Sequence, residues 1–158
     1  MKKIFYIMLL GVMVITSCKK EAEIGGTAVK DMSGEWFLRY SDDGGETWSD
    51  YTHFSTYNTA SNSTSEMWLD DLETFWQMKG KVSVDFTNKT FSGTDIENQY
   101  YDSQFTIMDG KVLKGAATAP ASGAKTDSLY FKATFSDDPG AEYILAGYKK
   151  TGFLEDEH

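Results

Sequence analysis

The amino-acid sequence predicts an all-β antiparallel domain, and three observations lead to that prediction. Apolar and polar residues alternate at every second position along several stretches. Turn-forming residues separate these stretches at the spacing of β-hairpins, and no helical pattern comes between them. A single closed barrel is favoured over the alternative, a β-sandwich, because closure pairs the edges of long strands.

The alternation is clearest over residues 76–86, where apolar side chains occupy every second position except Gly80. This pattern predicts one long, half-buried strand, and Gly80 on its apolar side predicts a bulge or a bend. Residues 34–40 and 129–135 repeat the alternation and predict two further strands. Residues 67–74 fit either a short helix or an irregular strand.

Turn residues stand between these stretches. Asp109-Gly110 is the strongest hairpin signal, because glycine readily adopts the positive φ of a tight turn. Asn88-Lys89 predicts a second hairpin, and residues 137–140 (Asp-Asp-Pro-Gly) predict a third. Residues 115–125 are small and flexible and predict a surface loop.

The first residues have the layout of a bacterial secretory signal. Residues 1–17 combine a positive start with an apolar run that is too short to span a bilayer as a stable helix. Residues 15–18 resemble a lipobox, in which the cysteine thiol is acylated, so Cys18 is predicted to carry a lipid anchor. Residues 18–33 then predict a flexible tether, and residues 34–158 the barrel domain.

The charge of the chain excludes several partners. It has 15 basic and 24 acidic residues, and loss of the two lysines in residues 1–17 changes the net charge from −9 to −11 (13 minus 24). Such an acidic surface argues against nucleic acid as a partner, and against contact with anionic membranes beyond the anchor itself. Cys18 is the only cysteine, so no intrachain disulfide is expected.

The stretch SDDGGETW, residues 41–48, resembles the Asp-box of sialidases and related propeller proteins. The motif occurs once here, and the chain has one arginine, Arg39, where sialidases use three to hold the sugar carboxylate. The stretch is therefore predicted to be a structural turn, with a calcium loop as the less favoured alternative. The predicted turn residues are Ser41, Asp43, Gly45, Thr47 and Trp48.

No catalytic or metal site is predicted. The histidines are His53, on a predicted strand, and His158, which is expected to be disordered at the end of the chain. Neither forms a recognisable triad, and no cluster of ligands suits zinc. Three Asp-Asp pairs occur, of which Asp70 and Asp71 beside Trp68 are the most suggestive, but neighbouring strand residues point to opposite faces. No cofactor is expected.

Aromatic residues are the strongest functional signal. They either fill a barrel core or line a ligand cavity at its mouth. The predicted ligand-binding residues lie on the more apolar face of their strands and are Trp36, Tyr40, Tyr57, Trp76, Met78 and Phe105.

Several stretches carry a family resemblance: GEWFLRY (34–40), DGGETW (43–48), FSDDPG (135–140) and GYKKTGFLEDE (147–157). With them the chain resembles the lipid-binding putative hydrolase family of Bacteroides-type anaerobes. The resemblance implies a secreted lipoprotein with a calycin-like or lipocalin-like barrel, and a barrel of about eight strands has room for one small ligand. It brings no catalytic motif to these residues.

The predicted function is therefore binding of a small lipophilic ligand by a lipoprotein anchored to either face of the outer membrane. A glycan-binding accessory lipoprotein of a carbohydrate-uptake system is the first alternative, and a carboxylate-dependent hydrolase is the second. A filled barrel that serves in assembly is a further alternative. The direction of the tryptophans separates these hypotheses: around a cavity they favour lipid, and on an exposed platform they favour glycan. The protein partners are not predicted.

Overall fold

Eight β-strands follow one another along the chain and close into one antiparallel barrel. This computed structural model describes residues 26–158. The strands are β1 (Gly34–Ser41), β2 (Thr52–Asn58), β3 (Glu66–Asp70), β4 (Lys79–Asp85), β5 (Thr90–Glu97), β6 (Gln104–Thr118), β7 (Lys125–Phe135) and β8 (Asp138–Lys149). The barrel closes where β1 pairs with β8, from Trp36↔Lys149 to Ser41↔Ile144. The predicted barrel is confirmed, and the β-sandwich alternative is wrong.

Three predictions fall wholly or partly before Gly26. The signal segment (1–17), the anchor at Cys18 and the first part of the tether lie outside the described residues. Within residues 26–158, no helix has the length and apolar character needed to cross a membrane.

The alternating strand directions sort the connections between the two ends of the barrel. Residues 42–51, 71–78, 98–103 and 136–137 join successive strands at one end, which is called the upper end below. The remaining connections and residues 26–33 lie at the opposite, lower end.

Inward side chains fill the barrel. The largest of them are buried to 2% exposure or less, so the interior is closely packed. They include Trp36, Leu38, Phe54, Met67, Leu69, Met78, Phe105, Ile107, Leu129 and Phe131. The alternation in β1 and β7 predicted correctly that their apolar residues lie on this inner face.

The lower end is closed by the segment that precedes β1. Lys30–Met32 form a short 3₁₀ helix, and both Val29 and Met32 are fully buried against the core. The indole N–H of Trp36 donates to Thr56 Oγ1 (2.8 Å), whose hydroxyl donates to the carbonyl of Met32 (2.7 Å). Residues 26–33, the described part of the predicted tether, thus pack against the barrel. The apolar side chains of Val29 and Met32 are enough to cover its lower end.

Asp109-Gly110 does not form the predicted hairpin. Both residues lie within the single strand β6, where the pairing to β7 shifts between Met108 and Lys111. Asp109 has φ 55°, so the positive φ forms a β-bulge inside a continuous strand. A Cβ at Gly110 would overlap the carbonyl oxygen of Phe91, which explains the glycine.

The predicted strand over 76–86 is shorter, since β4 begins only at Lys79. Gln77 has φ 51°, which ends the extended backbone before it reaches Trp76. Gly80 causes no bulge, because its pairing with β3 runs without a shift. It is glycine for a packing reason: an added Cβ would overlap Ile96 Cγ2 and lie 2.6 Å from Phe105 Cζ.

Two other predictions change in detail. The turn predicted over 137–140 is tighter, because β7 ends at Phe135 and β8 begins at Asp138. Residues 67–70 belong to β3, so the helix alternative for 67–74 is wrong. The Asn88-Lys89 turn is confirmed between β4 and β5, as Lys89 has φ 58°.

Residues 151–158, called the C-terminal strap, fold back onto the outer wall. The carboxylate of Asp156 accepts hydrogen bonds from Ser122 Oγ and from Thr151 Oγ1, both at 2.6 Å. The ring of His158 stacks on Tyr51, with 4.3 Å between centroids, and its Nε2 lies 2.7 Å from the Tyr148 hydroxyl. The expectation that His158 is disordered is wrong, because this aromatic patch binds it.

Candidate ligand-binding site

The upper end of the barrel is closed by a loop, residues 71–78, rather than by a strand. The loop leaves β3 and enters β4, and its Phe75 reaches across the opening. The ring centroid of Phe75 lies 4.6 Å from that of Tyr40 and 5.6 Å from that of Tyr143, on β1 and β8. It also lies 5.8 Å from that of Phe135 on β7. Because β7 and β8 stand opposite β3 and β4 in the ring of strands, Phe75 plugs the opening.

Trp76 extends this plug toward β7. Its ring stacks on Phe135, with 4.6 Å between centroids and 17° between planes. The indole N–H donates to Asp137 Oδ1 (3.2 Å), and the hydroxyl of Tyr101 donates to the other oxygen of Asp137 (2.7 Å). The hydrogen bond from Tyr101 lowers the pKa of Asp137. One carboxylate therefore joins three of the four upper connections.

Asp71 shapes the loop from inside. Its fully buried carboxylate accepts hydrogen bonds from the main-chain N–H of Glu73 (2.9 Å) and of Trp76 (2.6 Å). Burial raises the pKa of Asp71, although these amide hydrogen bonds act in the opposite direction. Leu72, Glu73 and Gln77 have φ values of 53°, 61° and 51°. A loop with three such residues holds backbone strain, which is typical of segments that change conformation.

Asp70 faces the outer wall instead. It accepts hydrogen bonds from the hydroxyls of Tyr57 and Tyr100 (2.8 Å each) and pairs with Lys79 (3.0 Å). Burial alone would raise the pKa of Asp70, but the amide of Leu72 and these donors together lower it. Hydrogen bonds of Lys79 with the Tyr57 hydroxyl and with Asp70 raise the pKa of Lys79 well above its ordinary value.

The predicted ligand-binding residues separate into three places. The rings of Phe75, Trp76 and Tyr40 form what is called the aromatic plug, which thus contains two of the predicted residues. Phe105 and Met78 are buried in the core that continues below it. Trp36 lies at the lower end, held by Thr56. Tyr57 lies on the outer wall, because the inward residues of β2 are Phe54 and Thr56. The structure thus brings four of the six together in the upper half of the barrel, while Trp36 faces inward at the lower end and Tyr57 faces outward.

The sequence prediction missed Phe75, the residue that closes the opening. Phe75 follows the acidic stretch after β3 and stands outside every alternating pattern, so periodicity gave no reason to select it. The available signal was weaker: two adjacent aromatic residues in a connection between strands, where exposed polar residues are usual.

The Asp-box-like residues lie together in the connection from β1 to β2. Asp43 Oδ1 accepts from the Ser41 hydroxyl (2.6 Å), and Oδ2 accepts from the Thr47 hydroxyl (2.6 Å). These bonds hold the pKa of Asp43 well below its ordinary range. The Trp48 indole N–H donates to the carbonyl of Gly45 (3.1 Å). All the donors come from the turn itself, so the arrangement orders a loop.

A comparison with protein families decides the assignment. The model of the lipid-binding putative hydrolase family matches residues 21–154. The chain belongs to this family. A comparison with curated proteins finds no match.

The lipid-binding part of the family description agrees with the barrel. In this member of the lipid-binding family, the interior is apolar, and the aromatic plug covers its upper end. A closed apolar barrel with one loop-borne cover fits a lipophilic ligand.

The hydrolase part of the family description raises the question of whether the acid pair Asp70 and Asp71 could be catalytic. Neighbouring positions point to opposite sides, so Asp70 contacts tyrosines on the outer wall and Asp71 contacts amides inside the loop. Both carboxylates already accept hydrogen bonds from the fold at each oxygen. Within residues 26–158, no group of three or more His, Cys, Asp or Glu side chains is placed to hold a metal ion.

Proposed function

We propose that the barrel binds a small lipophilic ligand in its upper half, in space that Phe75 and the side chains below it occupy in this closed form. The observation that carries the proposal is the position of Phe75: a loop-borne ring fills the top of an apolar barrel. A ring on a loop can be exchanged for a ligand without breaking a strand ladder. The family assignment supports the same ligand class.

The core beneath the plug suits such an exchange. Met78 and Phe105 lie there. The side chain of methionine has flexible torsions and a polarizable thioether, so it can repack around different shapes. An apolar ligand that replaces Phe75 restores the contacts the ring gives up, so the exchange costs mainly the movement of residues 71–78.

The glycan alternative has weaker support. One candidate stacking residue is Trp68, half-buried on the outer wall. Lys79 and Lys81 both lie over its ring, 5.9 Å and 5.3 Å from the centroid. A sugar would have to displace them before it could stack on Trp68. Trp36 and Trp76 point to the core and to the plug, which favours a lipophilic ligand.

We further propose that the barrel is held at the cell envelope through a lipid on Cys18, on either face of the outer membrane. The support is the signal layout of residues 1–17 and the resemblance of residues 15–18 to a lipobox. Cys18→Ala is expected to move the protein from the membrane fraction to the soluble fraction of fractionated cells. Retention of the variant on membranes without detergent would contradict the anchor.

A titration tests ligand binding. The Cys18→Ser chain, stripped by organic extraction, is titrated with oleic acid while tryptophan fluorescence is followed. Saturable binding with a change in the emission of Trp76 is expected, since Trp76 forms part of the plug. A strictly linear, non-saturable response with oleic acid and with monoolein would contradict the proposal and favour the filled-barrel alternative.

A further inference from the structure

The wall of the barrel is incomplete between β4 and β5. Their ladder has three Cα pairs, Ser83↔Ser92, Val84↔Phe91 and Asp85↔Thr90, and the other seven ladders have between four and nine. Residues 79–82 of β4 and 93–97 of β5 are not partners of each other. This stretch is called the side opening below.

The side opening is closed again at its top. The N–H of Gln99 donates to the carbonyl of Lys79 (2.9 Å), and the N–H of Lys79 donates to Asn98 Oδ1 (3.1 Å). The opening therefore has paired backbone above and below it. It is a bounded window in the wall and not a frayed strand end.

One side chain, Ile96, fills this window. It is half-buried and packs against the core. A Cβ at Gly80 would overlap Ile96 Cγ2, and a Cβ at Gly93 would lie 2.5 Å from Ile96 Cδ1. One glycine on each strand thus leaves the space that Ile96 occupies.

The backbone that carries Ile96 is irregular. The pairing of β5 with β6 shifts on both sides of Gly93, and Asp95 has φ 49°. The N–H of Asp95 donates to the Thr106 hydroxyl (3.1 Å). The segment is unpaired toward β4, so the side chain of Ile96 can rotate outward while its backbone stays paired with Phe105 on β6.

Ile96 separates an outer groove from the proposed ligand site. Outside it lies an open groove of about 690 Å³, lined among others by Trp68, Lys81, Glu97 and Gln99. Inside it, Phe105 lies against the same Gly80 and belongs to the core below the plug. Displacing one aliphatic side chain would join the groove to the interior.

The upper end is harder to open than this window. Opening it requires separating Phe75 from Tyr40 and Tyr143, unstacking Trp76, and breaking the hydrogen bond to Asp137. Opening the window requires the rotation or outward shift of Ile96.

We infer that the side opening is the entry for the aliphatic chain of a single-chain amphiphile, with Ile96 as its gate and the outer groove as the site of its headgroup. This inference rests on the proposed function and adds the route and the ligand class. Lys81 and Glu97 bring opposite charges to the groove, so a hydroxyl-bearing headgroup can bond to both, whereas a charged headgroup is attracted by one of them and repelled by the other. Within residues 26–158, Lys81 forms no ion pair within 4.0 Å, and a headgroup in the groove can bond to its ammonium while it lies over Trp68.

The test is a rapid-mixing measurement of monoolein association with the Cys18→Ser chain, followed by tryptophan fluorescence. Ile96→Ala is expected to raise the association rate constant about tenfold, the equivalent of about 1.4 kcal/mol in the barrier, and Ile96→Phe to lower it. Val84→Ala is the matched control, because Val84 is also half-buried and lies on the same seam, in its paired part. It is expected to associate at the wild-type rate.

The outcomes are distinguishable. Wild-type binding of monoolein with association rates that Ile96→Ala and Ile96→Phe leave unchanged would overturn the gate, while the proposed function would stand. Absence of saturable binding by the wild type would overturn both. Circular dichroism checks folding, and if Ile96→Ala unfolds, Ile96→Val is expected to raise the rate about threefold. Lys81→Ala is expected to weaken monoolein affinity, and an unchanged affinity would overturn the headgroup site.

Discussion

The ring of Phe75 packs edge-on against that of Tyr143, with 5.6 Å between centroids, although they come from opposite sides of the barrel. This contact spans the upper end of the barrel. It places a side chain from a strained loop where the strands alone would leave an opening, and the proposed function follows from it.

Replacing Phe75 by alanine is expected to lower stability and to strengthen ligand binding. Loss of a half-buried ring costs about 2–3 kcal/mol in the free energy of unfolding. The ligand no longer has to displace the ring, so affinity for oleic acid is expected to rise about tenfold. Urea denaturation and fluorescence titration measure the two effects.

The control for this variant is Phe91→Ala in the lower half of the barrel. Phe91 is 3% exposed and stands on β5, so its loss is expected to cost about 3–5 kcal/mol. Affinity is expected to stay at the wild-type value. Equal affinity of both variants and wild type would argue against a ligand behind Phe75.

The β-bulge at Asp109-Gly110 gives a second prediction. In Gly110→Ala, the added Cβ would overlap the carbonyl oxygen of Phe91 and lie 2.5 Å from its ring, so stability is expected to fall by about 2–3 kcal/mol. Gly123→Ala is the comparison, because its Cβ meets nothing within 4 Å and only its φ of +72° is strained. That change is expected to cost about 1 kcal/mol in urea denaturation. Equal losses for the two variants would contradict the close approach of β5 to the bulge.

The C-terminal strap gives a pH-dependent prediction. Burial would raise the pKa of Asp156, but hydrogen bonds from Ser122 and Thr151 outweigh it and lower the pKa from 3.8 to about 2. A carboxylate whose folded pKa is depressed stabilises the fold above its unfolded pKa, and this contribution is lost as the pH falls toward the folded value. Stability conferred by Asp156 is therefore expected to disappear between about pH 4 and pH 2.

Urea denaturation of Asp156→Asn and wild type, at about pH 6 and about pH 3, measures this effect. The variant is expected to be less stable at the higher pH, and the difference should shrink at the lower one. Glu155→Gln, an exposed neighbour in the same short 3₁₀ helix, serves as the control. A constant difference at both pH values would show that the strap does not depend on the charge of Asp156.

Much of the barrel could be predicted from the sequence, because each strand has one face toward the core and one face exposed to solvent. The alternation over β1 and β7 indicates which side chains face the core. It can be found in the sequence because each strand residue must suit either the core or the solvent, whatever its distant neighbours are. The Asp-Gly signal failed at residues 109–110 because a bulge and a hairpin both need a positive φ. Which of the two forms depends on the pairing of β6 with its neighbours β5 and β7, which a local pattern does not contain.

The candidate site was less predictable for a similar reason. Extending the alternation through Trp76 assumed extended backbone, and the left-handed φ of Gln77 ends it. The packing of Phe75 on Tyr143 and the contact of Ile96 with Gly80 join residues far apart in the sequence. No local pattern records such contacts.

Native mass spectrometry of the Cys18→Ser protein, which lacks the proposed covalent lipid and is purified without detergent from the cells that make it, tests the central claim most directly. A bound small amphiphile is expected, seen as a mass above that of the chain and recovered by organic extraction. Replacement of Phe75 by alanine should increase the occupied fraction. A protein found only at its own mass, which also fails to take up added monoolein or oleic acid, would contradict a ligand-binding barrel.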